Sequence, residues 1–126
     1  MNETRFFICK KCGNVVGVLY SSGVPLVCCG EEMQPLEANT VDASREKHVP
    51  IVTVSGDTVT VEVGSVAHPM TPEHYIGFIY LLTERGGQRK ALSSGDAPRA
   101  TFRVIADKPK AVYAYCNLHG LWSAQV

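Results

Sequence analysis

The residues of this 126-residue chain best suited to holding a metal are five cysteines and four histidines. Four of the cysteines fall in two close pairs, Cys9 and Cys12 in CKKCG and Cys28 and Cys29 in CCGEEM. A Cys-x-x-Cys-Gly turn aims two thiolates at one point, because successive backbone N–H groups fold round the sulfurs and glycine permits the tight backbone. Four thiolates at tetrahedral distance suit zinc or a single iron, zinc being the commoner occupant of generic Cys pairs. The second pair departs from the zinc pattern. Adjacent cysteines on an extended backbone start on opposite sides of the chain, so a distorted site is expected. In a reducing cytosol, cysteines in this number are metal ligands or redox groups more often than disulfides.

Cys116 stands apart in YAYCNLHGLW, three residues before His119. His48 lies in EKHVP, where a first strand is expected to begin, and His68 and His74 bracket HPMTPEH, whose Pro69 and Pro72 preclude a regular helix. Each histidine alone is ordinarily a solvated loop residue, and Cys116 alone a small buried apolar side chain. Their common placement at or beside loops is what points to a metal. Two metals compete for the set. A Cys-x-x-His loop late in a β-sandwich describes blue copper, but CNLHGLWSAQV supplies no axial Met, only the more distant Gln125, and four histidines exceed the two that copper uses. Iron accommodates four imidazoles in a plane with one thiolate beneath, leaving a sixth position open.

Positioning these residues is the task of the rest of the chain. Apolar residues make up 45% and charged residues 19%, as in a globular protein. Twelve basic and twelve acidic side chains cancel; the segment to Glu37 has three against four and the remainder nine against eight, so neither part reads as a nucleic-acid binder. MNETRFFICKKCG lacks the pattern of a secretory leader and no stretch reads as a membrane span, so a cytoplasmic protein is expected. The region to Glu37 is rich in turn signals and too short to fold on an apolar core, a deficit that bound metal usually makes good.

From Asn39 the pattern changes to short alternating segments. VPIVTVSGDTVTVEVG reads as two strands about a turn at Ser55–Gly56–Asp57, with Val52, Val54, Val59, Val61 and Val63 at period two. YIGFIYLLTERGGQRKAL reads as a longer strand, a turn at Gly86–Gly87 and a return, and RATFRVI, KAVYAYC and LWSAQV complete about seven strands. With no amphipathic helix and no internal repeat, the pattern predicts a mainly β protein whose larger part is an antiparallel sandwich of immunoglobulin-like type.

Taken together, CKKCG, CCGEEM, EKHVP, HPMTPEHYI and CNLHGLW closely resemble desulfoferrodoxin, a family of two-iron superoxide reductases. The resemblance runs over almost the whole chain. It implies a desulforedoxin-like domain over residues 1–37, in which Cys9, Cys12, Cys28 and Cys29 hold a rubredoxin-type iron, and a sandwich domain over residues 38–126. There a catalytic iron is bound equatorially by His48, His68, His74 and His119 and axially by Cys116. The implied reaction is one-electron reduction of superoxide to hydrogen peroxide, with a rubredoxin-like electron donor and a homodimeric assembly. Lys47 is implied as the residue that attracts superoxide and orders a proton donor, and Glu46 as a carboxylate that takes the sixth position of the ferric site and helps peroxide leave. Two other classes stay open beside it: an electron-transfer iron or blue-copper protein, and a zinc-stabilised interaction module.

Overall fold

The computed structural model describes residues 5–126; residues 1–4, the start of the stretch inspected above for leader character, lie outside the described residues. The chain divides into two compact units, Met1–Glu37 and Ala38–Val126.

The first unit holds β1 (Arg5–Ile8), β2 (Val15–Val18), β3 (Val27–Cys28), β4 (Glu31–Glu32) and β5 (Gln34–Leu36). Antiparallel pairing puts β1 between β2 and β5, while β3 and β4 form a separate short hairpin. Its buried apolar side chains among the described residues are Phe6, Cys9 and Met33. Leu19 and Tyr20, by contrast, are 96% and 93% exposed. So few buried side chains cannot offset the entropy of ordering the unit, which must be held by something else.

In the second unit a single helical turn, α1 (Arg45–His48), precedes β6 (Pro50–Ser55), β7 (Thr58–Val63), β8 (Ile76–Thr83), β9 (Gly87–Ala91), β10 (Arg99–Arg103), β11 (Pro109–Cys116) and β12 (Gly120–Gln125). These seven strands form two antiparallel sheets, ordered β10-β7-β6 and β12-β11-β8-β9. The expected sandwich is present, and its core is built by alternation. Val59, Val61 and Val63 project from β7, against Ile79 and Leu81 of β8 and Val112, Ala114 and Cys116 of β11. Ser55 pairs with Thr58, so the first hairpin turns through Gly56 and Asp57, with Gly56 at φ 57°.

One local expectation is corrected. Val54 is half exposed, because it lies at the turn end of the edge strand β6, beyond the part that Val52 packs against the core. The strand expected to begin in EKHVP does so at Pro50, and His48 closes a short helical turn just ahead of it: the Val49 N–H bonds the Arg45 carbonyl at 2.9 Å, and Pro50 then takes the chain out of helix into β6.

The end of the sandwich nearest Cys116 is irregular in a purposeful way. Tyr115 pairs with Phe78 but Cys116 pairs with Ile76, so Gly77 is passed over in a β-bulge. The bulge moves β8 into a new phase, burying Ile76 where Gly77 would have faced inward. Across the other edge Cys116 pairs with Gly120, leaving Asn117, Leu118 and His119 as a three-residue hairpin loop that Gly120 closes at φ 77°.

Candidate metal centres

Four sulfurs converge in the first unit. One ligand atom from each of Cys9, Cys12, Cys28 and Cys29 lies within 4.8 Å of the others. Cys12 Sγ is 3.6 Å from Cys28 Sγ, which is 4.0 Å from Cys29 Sγ. A tetrahedral metal with bonds of about 2.3 Å to sulfur needs sulfurs about 3.8 Å apart, so the spacing fits. The first pair is shaped by a knuckle in which the Gly13 N–H bonds the Cys9 carbonyl at 2.8 Å, with Gly13 at φ 86°, and the Cys12 N–H points at Cys9 Sγ from 3.5 Å.

The adjacent pair needs no extended backbone. Only Cys28 belongs to a strand; Cys29 and Gly30 are the two loop residues between β3 and β4, at φ 53° and 76°. Two consecutive positive φ values mark the tight hairpin turn that matches strand twist. The turn swings the Cys29 side chain out of the alternation of β3, so both thiols reach one point. The sulfurs are electrostatically crowded. The Cys12 N–H holds the Cys9 thiol down at about 7, partly against desolvation, while the neighbouring thiols of Cys12, Cys9 and Cys28 push Cys29 up to about 12. Removing all four protons accumulates negative charge that only a cation relieves.

In the second unit the four imidazoles close a ring. Centroids of His48 and His68 are 4.7 Å apart, His68 and His74 4.6 Å, His74 and His119 5.1 Å, and His119 and His48 4.9 Å, with neighbouring planes 78–85° apart. The diagonal from His48 to His74 is 6.2 Å. Ligand atoms of His48, His68, His74 and Cys116 lie within 4.8 Å of one another. His119 joins them through Nδ1, at 3.1 Å from His48 Nε2 and 3.9 Å from Cys116 Sγ.

Each donor is aimed by its own stretch of chain. His48 Nδ1 lies 2.5 Å from the Ser44 carbonyl and His68 Nδ1 2.7 Å from the Pro69 carbonyl. An N–H donated at Nδ1 leaves the lone pair on Nε2, directed into the ring of histidines. The turn that carries His48 packs on Gly64, at φ 86°, where an added Cβ would sit 2.7 Å from the carbonyl oxygens of both Glu46 and Lys47. Trp122 supports two members at once. Its ring lies 4.9 Å from that of His48, and its Nε1–H donates to the His119 carbonyl at 3.1 Å.

This cluster has the chemistry of a cation site. Nε2 of His68 and of His74 are buried without a hydrogen-bond partner, a costly state for a polar atom unless something else takes the lone pair. Burial lowers the pKa of His48, His68 and His74, that of His68 to about 4, so the imidazoles are neutral donors at pH 7. Burial pushes the Cys116 thiol up, while the N–H groups of Leu118 and His119 bond its sulfur and favour the thiolate. Desolvation wins without a cation.

Comparison with known proteins matches residues 1–36 to the desulfoferrodoxin N-terminal domain and residues 40–125 to desulfoferrodoxin proper. The chain belongs to the desulfoferrodoxin family. Desulfoferrodoxin of Syntrophotalea carbinolica is 50% identical over 123 residues, covering 98% of this chain and 97% of the relative. A superoxide reductase of Pyrococcus abyssi is 41% identical over 103 residues, 68% of this chain and 90% of its own length. The crystal structure of the superoxide reductase from Treponema pallidum superposes with a TM-score of 0.82 at 43% identity, covering 98% of this chain and 99% of that one. This member of the family thus carries a four-cysteine cluster and a His/Cys cluster on a mainly β scaffold.

All nine candidate ligands fall in these two clusters. Glu46 and Lys47 are exposed on α1, and the Lys47 charge reaches both His48 and His74, lowering each. Sequence reading assigned nothing to Asn14, whose Nδ2 points at Cys28 Sγ from 3.7 Å, nor to Gly64. Trp122 stood in the quoted motif without a role. A polar residue two past the Cys-x-x-Cys pair was the one signal for Asn14.

Proposed function

We propose that this chain is a superoxide reductase: superoxide, one electron and two protons give hydrogen peroxide, and no oxygen is released. The observation that carries the reading is the closed ring of His48, His68, His74 and His119 beside the Cys116 thiol, in a family whose named relatives include superoxide reductases. In this reading His48, His68, His74, His119 and Cys116 bind one iron, and Cys9, Cys12, Cys28 and Cys29 bind another. An iron held there by His48, His68, His74, His119 and Cys116 would supply one-electron redox chemistry, with the electron coming from an external donor.

The chain's own residues do the rest. Neutral imidazoles add no charge to the site, so the Cys116 thiolate is its one anionic donor. Its charge is moderated by the Leu118 and His119 N–H groups. Lys47, exposed beside His48, presents an ammonium that draws the superoxide anion toward the histidines and holds a proton donor near it. Glu46, exposed on the same turn, supplies the carboxylate that helps peroxide leave.

The donor in this reading is a small rubredoxin-like protein, and the site of action is the cytoplasm. No helix among the described residues is long and apolar enough to cross a membrane. Residues 1–37 and 38–126 act as separate domains of a homodimer. The exposed Leu19, Tyr20 and Val24 of the first unit support that assembly, since apolar surface of this kind is ordinarily covered.

The decisive experiment is on anaerobically purified, reduced protein. Stoichiometric consumption of superoxide without oxygen release, by protein holding two irons per chain, is the expected result. Oxygen release would indicate dismutation, copper would favour an electron carrier, and zinc alone would leave only a structural module.

A further inference from the structure

Three of the four histidines have a visible reason to point where they do. His48 and His68 are fixed through Nδ1 by carbonyls close in sequence, and His119 by the hairpin that it shares with Cys116. The His74 ring has no hydrogen bond among the described residues, and its Nε2 is buried and unpartnered. Its segment is a short turn in which Thr71 and His74 exchange backbone bonds at 2.9 and 3.2 Å, with Thr71 Oγ1 accepting the His74 N–H at 3.1 Å. These bonds shape the turn but tie it to nothing else.

The Met70 carbonyl, just before the turn, is held by the Gly95 N–H at 2.9 Å, and Asn117 ties the turn itself to the Cys116 hairpin. Asn117 directly follows Cys116, and its side-chain amide reaches the peptide groups on both sides of His74. Oδ1 accepts the Tyr75 N–H at 2.9 Å, and Nδ2 donates to the Glu73 carbonyl at 3.0 Å. The backbone N–H of Asn117 also donates to the Tyr75 carbonyl, at 3.2 Å. One residue therefore brackets His74 with three hydrogen bonds while being covalently joined to Cys116. Only a neutral amide matches both peptide groups: a carboxylate lacks the donor for Glu73, and an aliphatic side chain lacks both partners.

We propose that Asn117 is a positioning residue that holds His74 in register with Cys116, so that an imidazole from a loop and the thiolate from the end of β11 arrive as a preassembled unit. This rests on the reading that both bind the same iron. Residues that orient metal ligands typically change metal affinity by about 10- to 100-fold when lost.

The test uses the full-length protein carrying Asn117→Ala or Asn117→Asp, with iron counted at each centre. Chelator competition measures affinity, the sulfur-to-iron charge-transfer absorption of the oxidised His/Cys centre reports its geometry, and thermal unfolding reports stability. Asn117→Ala should weaken iron binding at that centre by about 10- to 100-fold and shift the absorption, with the four-cysteine centre unchanged. Asn117→Asp keeps the acceptor for Tyr75 and should fall between. Wild-type affinity and absorption in both variants, whatever their melting temperature, would overturn the role. Should the alanine variant not fold, the aspartate variant decides by the same two readouts. A wild-type protein without iron at the His/Cys centre would overturn the functional reading and this role together, and the wild-type control separates that outcome from a failure of the Asn117 variants alone.

Discussion

The four sulfurs of the first unit sit on turns and on the two-residue strand β3, in a unit that buries little beyond Phe6, Cys9 and Met33, and two of them, Cys12 and Cys29, are exposed. The donors of the second unit hang from a sandwich whose core runs through both sheets, and Cys116 is itself a member of that core. In the first unit a bound metal would substitute for the core that the unit is too short to make. In the second the core exists already, and the fold can spend stability on burying unpartnered imidazole nitrogen. On this contrast the first centre would build its scaffold, and the second is built by it.

The largest effect that sharpens this contrast is metal loss. Cys12→Ser, or chelation of both metals, should unfold the first unit while the sandwich keeps its slow amide exchange at Val61, Leu81 and Val112. Exchange protection lost in both units would break the comparison, by showing that the second also needs its metal to fold. Next comes Cys116→Ser. Serine fits the same buried position, yet its hydroxyl stays protonated, so turnover of superoxide should vanish while the four-cysteine centre keeps its metal and its absorption. Residual turnover near the wild-type rate would remove Cys116 from the reaction.

Much of this contrast was legible in the residues. Period-two valines at 59, 61 and 63 announced β7, and the paired cysteines announced a centre, because both signals depend on neighbours a few residues apart. The strands of the first unit left little trace, since β2 buries almost nothing and so shows no alternation. The Cys28–Cys29 turn was misjudged because a positive φ at a non-glycine residue has no sequence signature there. Asn117 was illegible for a different reason: its side-chain partners are backbone groups 42 and 44 residues away, and any residue offers the same peptide.

The third prediction concerns acid and the sandwich in its metal-free form. His68 is neutral when folded, its pKa depressed by burial from 6.5 to about 4. Below pH 6.5 the unfolded chain binds a proton that the folded chain refuses. Stability is therefore full above the unfolded value and is lost as pH falls through the window down to about 4, by at most on the order of 3 kcal/mol. Burial shifts His48 and His74 in the same direction. Denaturant unfolding of the metal-free chain at pH 7.5, 6, 5 and 4 should show that decline in the sandwich transition. A flat profile would mean that the cluster opens to water without its metal, and that the second scaffold is less complete than it looks.

The smallest effect belongs to Lys47, and it tests whether the second centre relies on charge as well as on packing. The side chain is exposed, so its removal should leave both scaffolds and both metals intact. What changes is the field seen by an incoming anion. Steering by local charge accounts for roughly 10- to 1,000-fold in association rate across known systems, and one exposed lysine should lie at the low end, about tenfold. With a Debye length of about 10 Å at 0.1 M salt, that advantage fades as ionic strength rises. Pulse-radiolysis rates for Lys47→Ala should accordingly be slower than wild type at low salt and converge on it at high salt, with a flatter salt dependence. Lys47→Arg should restore most of the low-salt rate, because charge alone is needed for attraction. A rate lost equally at every salt concentration, and not restored by arginine, would instead assign Lys47 to proton delivery at a fixed point, which a guanidinium held at high pKa performs poorly.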